Sequence, residues 1–171
     1  MIVLYIVIGL VTLLLIVPAF MPKTYSIEKT IMVNATADVC YDKVVDLNHY
    51  SAWNPWSQME PTASKKIEGA PKTVGHKYHW EGKKIGMGTL SVKNLDPGKS
   101  AEIDLQFIKP WKALSEDTWK FESKGNQTKI TWKNRGPLVY PIARLMGPMI
   151  NKNLSKQFEQ GLVNLKNLCE K

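Results

Sequence analysis

The chain has 171 residues, with 23 Lys and Arg against 15 Asp and Glu, a net charge of +8 and a sequence pI near 9.4. A composition that is 44% hydrophobic and 9% aromatic excludes a disordered, collagen-like or low-complexity chain, and two cysteines exclude a disulfide scaffold. Only Arg135 and Arg144 are arginines and the lysines scatter in ones and twos, as at Lys65-Lys66 and Lys83-Lys84, so no nucleic-acid partner is expected.

Residues 1–22 carry no charged side chain, and Met1 to Val17 is almost continuously apolar. At a 1.5 Å rise per residue, a helix of this length spans roughly 30 Å, about one hydrocarbon core. A signal peptide would need a positive n-region and a small-x-small cleavage site. No Lys or Arg precedes the run, and Val17-Pro18-Ala19-Phe20 is a poor cleavage context. A buried helix with no polar face would need cover on all sides. We therefore expect an uncleaved transmembrane anchor over residues 1–22 and one domain over residues 23–171, enough for a single core. Lys23 and Lys29 follow the span, so the positive-inside rule predicts a single-pass cell-membrane protein with its domain in the cytoplasm. Cys40 and Cys169 are read as free thiols on helices, in agreement with a reducing compartment.

After a short linker broken by Pro18 and Pro22, Tyr25 to Val33 alternates as a strand with Tyr25, Ile27, Ile31 and Val33 on one face. Asn34-Ala35-Thr36 offers an N-cap, and Ala37 to Leu47 reads as a short helix. Tyr50 to Trp56 is aromatic, broken by Pro55, and should turn back into the domain. Strands are predicted at Lys65–Glu68, His76–Glu81, Ile85–Leu95, Ser100–Ile108, Ala113–Ser123 and Thr128–Arg135. The connections between them, such as Asp96-Pro97-Gly98 and Lys124-Gly125-Asn126, are short, which argues an antiparallel meander. Ile150, Leu154, Phe158, Leu162 (or Gly161), Leu165 and Cys169 then recur at helical spacing opposite a polar face. The expected class is α+β: a helix-grip fold, with a curved antiparallel sheet wrapped around a long C-terminal helix near Ile150–Leu168.

Several short segments carry a family likeness. They are Ala52-Trp53-Asn54-Pro55-Trp56, Thr73-Val74-Gly75 before the strand ending Trp80-Glu81-Gly82, and Gly86-Met87-Gly88. Thr128 to Trp132 and Phe158 to Lys166 complete the set. With the element order, they resemble the START-like superfamily (SRPBCC, polyketide cyclase/dehydrase-like), and in particular its small bacterial members with an N-terminal membrane anchor. The likeness covers most of residues 25–170. It implies a cavity for hydrophobic ligands, in a superfamily that includes lipid-transfer domains, cyclases and members without a known role.

Motifs for other chemistry fail on their setting. Gly86-x-Gly88-x-x-Ser91 lacks the helix that a dinucleotide fingerprint needs, because Leu90 and Val92 continue a strand. His76 and His79, three apart on a strand, point to opposite faces and cannot share an ion. There is no nucleophile elbow, P-loop or Cys–His pairing, so neither a metal nor a cofactor is expected.

Strand parity nominates the site. Tyr78 and Trp80, Leu90 and Val92, Ile103, Leu105 and Phe107, Trp119 and Phe121, and Ile130 and Trp132 should face inward. The candidates for lining a ligand cavity are Trp56, Tyr78, Trp80, Phe107, Trp119 and Trp132, with Asp117 and Asn134 as inward polar groups. A bulge in its strand would turn Asp117 outward, so both orientations stand. The apolar, proline-broken segment Pro137 to Ile150 reads either as a packed loop or as a lid or membrane-touching edge.

The function expected is a membrane-anchored binding module for a hydrophobic small molecule or lipid. The alternative is a polyketide cyclase/dehydrase-like enzyme using the same cavity, although one inward carboxylate and no inward His is thin acid–base machinery. A third reading is a tethered structural domain with a filled core.

Overall fold

The computed structural model describes residues 1–171. Helix α1 (Ile2–Ala19) has a mean hydropathy of 2.9 and is exposed throughout except at Pro18. It projects from the domain and touches it only near its C-terminal end. Tyr140 Oη donates to Leu15 O (2.7 Å) and Arg144 Nη1 to Pro18 O (3.1 Å).

Strand β1 (Thr24–Val33) is followed by α2 (Ala37–Val45), α3 (Tyr50–Trp53) and α4 (Pro55–Met59). Then come β2 (Ser64–Glu68), β3 (Lys77–Gly82), β4 (Gly86–Asp96), β5 (Ser100–Lys109), β6 (Ala113–Lys124) and β7 (Gln127–Pro137). One turn, α5 (Ile142–Leu145), leads into α6 (Gly147–Cys169). The seven strands form one antiparallel sheet in the order β1-β7-β6-β5-β4-β3-β2, a meander closed at one edge by β1. The expected α+β helix-grip fold is the fold observed. Element ends move by a few residues: α2 stops at Val45, and α6 begins at Gly147.

Helix α6 lays Phe158, Gly161, Leu162, Leu165 and Cys169 against the sheet, all buried, with Leu154 half-buried. Gly161 allows the approach: a Cβ there would stand 3.0 Å from Trp132 Cζ3 and 3.3 Å from Pro55 Cδ. Helices α2 to α4 close the rest of the face. Trp53 is buried edge-on against both Trp119 and Trp132 (centroids 5.6 Å) and donates from Nε1 to Lys43 O. Asn164 of α6 donates to Trp53 O, tying α3 to α6. Cys40 and Cys169 are both free and buried, one on α2 and one at the end of α6. The two thiols influence each other, which lowers the pKa of Cys40 and, with burial, raises that of Cys169.

His76 and His79 are tied to neighbouring strands and loops. Buried His76 accepts at Nε2 from Leu47 N–H (3.2 Å), which leaves Nδ1–H to donate to Glu68 O (3.1 Å). His79 pairs through Nδ1 with Thr89 Oγ1 (2.8 Å).

Candidate functional site

Between α6, α3–α4 and the inner face of the sheet lies a cavity of about 180 Å³. Eight aromatic side chains line it: Tyr25, Tyr50, Trp56, Tyr78, Trp80, Phe107, Trp132 and Phe158, joined by Ile85, Leu105 and Leu154. The polar lining is Asn54, Ser57, Asp117 and Asn134. The back wall is a stack, with Phe158 on Trp132 (3.9 Å) and Trp132 on Trp119 (4.5 Å). Trp80 meets Phe107 edge-on at 6.0 Å, and Tyr50 meets Tyr78 at 4.9 Å.

Local sequence explains how these rings are set. Asn54 caps α4 by accepting from Trp56 N–H (2.9 Å), with Pro55 in the first helical turn, and that turn aims Trp56 inward. At Gly88 a Cβ would collide with the Trp80 ring and the Gln106 carbonyl, so glycine is what lets Trp80 lie across β4. The β3–β4 turn is held by Glu60, whose carboxylate accepts from the N–H groups of Lys83 (2.9 Å), Lys84 (2.8 Å) and Ile85 (3.1 Å). Those amides, Lys84 first, hold the Glu60 carboxyl below the ordinary carboxylate range.

Asp117 faces inward and is 5% exposed. The bulge that could have turned it outward lies elsewhere. Register is unbroken where β6 pairs with β5 and β7, whereas β4 shifts at Met87/Gly88 and Val92/Asn94. Trp132 Nε1 (2.9 Å) and Asn134 Nδ2 (2.8 Å) both donate to Asp117 Oδ1. Oδ2 receives no hydrogen bond from the protein, and Asp117 makes no salt bridge although it is the only charged residue lining the cavity. Burial pushes its pKa up to about 6, and the two donors only partly oppose that. Burial also raises Tyr25 and Tyr50, with the Asp117 charge adding to both. Tyr25 shares a hydrogen bond with Ser115 (3.0 Å).

Of the eight residues nominated from sequence, seven line the cavity: Trp56, Tyr78, Trp80, Phe107, Asp117, Trp132 and Asn134. Trp119 does not. It shares the inward face but is sealed behind Trp132, stacked on Phe121 (6.4 Å) and covered by Trp53. Parity missed Tyr50, Asn54, Ser57 and Ile85, which sit outside regular strands. It had placed Tyr25 and Leu105 on the inward face, and the helical stripe carried Leu154 and Phe158, without marking any of them as lining. No residue between Pro137 and Ile150 lines the cavity, so the lid reading of that segment is set aside.

The model of the polyketide cyclase / dehydrase and lipid transport family matches residues 24–170. The chain belongs to this family. Membership points to hydrophobic-ligand binding or polyketide cyclase-like chemistry as the broad class. No curated protein matches the chain. Among solved structures, it is similar to protein CV1439 from Chromobacterium violaceum, with a TM-score of 0.64 at 16% identity, covering 85% of this chain and 97% of that one. Protein MLL2253 from Mesorhizobium loti gives 0.63 at 12% identity, covering 84% and 96%. The Aha1 dimer from Colwellia psychrerythraea gives 0.58 at 18%, covering 85% and 96%. At these identities the likeness is one of fold.

Proposed function

We propose that this family member is a membrane-anchored binding module whose cavity holds a hydrophobic small molecule or part of a lipid. Residues 1–22 are the single-pass anchor, and residues 23–171 are the binding domain on the cytoplasmic side. The observation that carries the reading is the cavity itself, aromatic-walled and furnished with one buried carboxylate whose Oδ2 lacks a donor. A cavity of about 180 Å³ slightly exceeds the ~150 Å³ that holds benzene, and is smaller than the ~300 Å³ lower bound for drug-sized ligands. It therefore fits a ring or a short alkyl segment, and a longer molecule would extend through the mouth.

Asp117 also selects the polar end of that ligand. A carboxylate or phosphate group would face an unpaired buried anion, whereas a hydroxyl or amine would supply the missing donor. Titration of the full chain in neutral detergent with 1-octanol should give a saturable change in tryptophan fluorescence, with octanoate binding far more weakly at pH 8. Leu154→Trp, which puts an indole ring into part of the cavity, should weaken the response strongly. No saturable change in the native protein, or an equal change in the filled variant, overturns the reading.

One observation favours the enzymatic alternative. A carboxyl group with a pKa near 6 is placed to exchange protons close to neutral pH. In that case Asp117→Asn would bind ligand and leave it chemically unchanged, while the native protein converted it.

A further inference from the structure

One end of the domain is built unlike the rest. The pairings Thr24 with Pro137, Phe107 with Ala113, Met87 with Lys109 and Gly82 with Gly86 bring four chain segments to the same end of the sheet. These are the start of β1, the exit of β7, and the turns joining β3 to β4 and β5 to β6. Helix α1 leaves from this end, pinned there by Tyr140 and Arg144, and Leu138 N–H donates to Lys23 O (2.8 Å).

The same end carries Trp111 at the tip of the β5–β6 turn, 75% exposed, while the other five tryptophans are buried or half-buried. Ile142 of α5 and Met149 in the first turn of α6 are also exposed. Lys83 and Lys84 on the β3–β4 turn and Lys112 beside Trp111 on the β5–β6 turn lie at the same end, all three exposed and none in a salt bridge. The acids nearby are already engaged: Glu60 by the turn amides, and Glu81 beside Lys109 (3.7 Å). In water such a rim leaves an aromatic ring and two long apolar side chains uncovered. In the headgroup layer all of these groups are satisfied at once, because tryptophan favours that layer and lysine favours anionic lipid.

We propose that this rim is a membrane-docking surface, whose partner is the face of a bilayer bearing anionic headgroups. The inference rests on reading α1 as the anchor, since the anchor is what presents this end of the domain to the lipid. Half-buried Ile85, Phe107 and Leu154 line the cavity directly behind the rim, so docking turns that side of the cavity toward the bilayer. Its occupant then enters from the lipid phase without crossing water.

The test uses the full chain in vesicles of phosphatidylcholine, with and without phosphatidylglycerol. Trp111→Cys carries a polarity-sensitive fluorophore, with Lys124→Cys, at the β6–β7 turn on the opposite end, as the reference; native Cys40 and Cys169 are buried. The expected result is a blue-shifted label at position 111, quenched by lipids brominated on their acyl chains, and an aqueous label at position 124. Replacing Lys83, Lys84 and Lys112 with Gln should lower the docked-to-undocked ratio about fivefold per lysine in anionic vesicles only. In unlabelled protein, the bromine-quenched part of the emission should disappear in Trp111→Phe. An alkaline carbonate wash separates the two readings. Protein released by the wash refutes the anchor, whereas protein that stays in the vesicles with an aqueous label at position 111 refutes docking alone.

Discussion

Asp117→Asn removes the buried charge while keeping an oxygen that can accept from Trp132 and Asn134. In the folded protein the pKa of Asp117 is raised from 3.8 to about 6, so the native state holds a proton that the unfolded chain has already released. Stability contributed by this group is therefore lost as pH rises from about 4 to about 6, and is level above that. At 1.36 kcal/mol per pKa unit, the charged carboxylate destabilises the fold by about 3 kcal/mol at neutral pH. The variant should thus be more stable than the native protein at pH 8, by up to about 3 kcal/mol or roughly 6–12 °C in Tm for a domain of this size. Below pH 4 the two should coincide. Thermal unfolding of the full chain in neutral detergent, followed by the near-ultraviolet circular dichroism of the tryptophan stack, measures both conditions. Other carboxylates titrate alike in both proteins and cancel in the difference. A variant that is less stable at pH 8, or equally stabilised at both pH values, would falsify the picture of Asp117 as an unpaired buried charge.

Three further outcomes follow from named contacts. Phe158→Ala removes the ring stacked on Trp132 and should cost about 3–5 kcal/mol in urea denaturation, part of it recovered with 1-octanol; an unchanged midpoint would remove α6 from its place on the sheet. Glu60→Gln should speed amide exchange at Lys83 to Ile85 at pH 7. Because the Glu60 pKa is lowered, its support is present above the ordinary glutamate value and fades as pH falls through the lowered one, so native and variant should converge in acid. For topology, Lys124→Cys should react with a membrane-impermeant maleimide only after cell lysis, and labelling of intact cells would put the domain outside.

Much of the fold was legible because the hydrophobic period changes where the structure changes. Strand parity placed Trp132 and Asp117 on the inner face because β6 and β7 run in unbroken register, and a one-residue slip would have reversed both. Parity reports a face, however, and not what covers it. Trp119 and Trp132 are register partners on one face and α3 packs Trp53 against both, yet Trp119 is stacked between Phe121 and Trp132 while Trp132 keeps a side on the cavity. Tyr50 reaches the site from a four-residue helix, and Glu60 grips a turn more than twenty residues away. Neither has a periodic signal, since both positions follow from tertiary closure. The rim was half visible: the apolar Pro137–Ile150 segment suggested a membrane-facing edge, while Trp111 joins it only once the sheet brings the β5–β6 turn to the same end.

The energetics of the cavity bear on whether the domain merely folds or also binds. If it were sealed, a void of about 180 Å³ would cost about 4 kcal/mol at ~24 cal/mol per Å³. With about 3 kcal/mol for Asp117, the sum is about 7 kcal/mol, comparable with the whole of the 5–15 kcal/mol by which domains are stable. Each loss is removable by one substitution that leaves the fold intact: asparagine at position 117, or a larger side chain at Leu154. A purely structural tether would gain from both changes. An aromatic-walled cavity whose single acid keeps one oxygen clear of protein donors is the arrangement a binding site needs, and a filled core does not. The stability gain predicted for Asp117→Asn and the binding loss predicted for Leu154→Trp are therefore two readings of the same design, and a protein that showed the first without the second would be a fold with a defect and not a receptor.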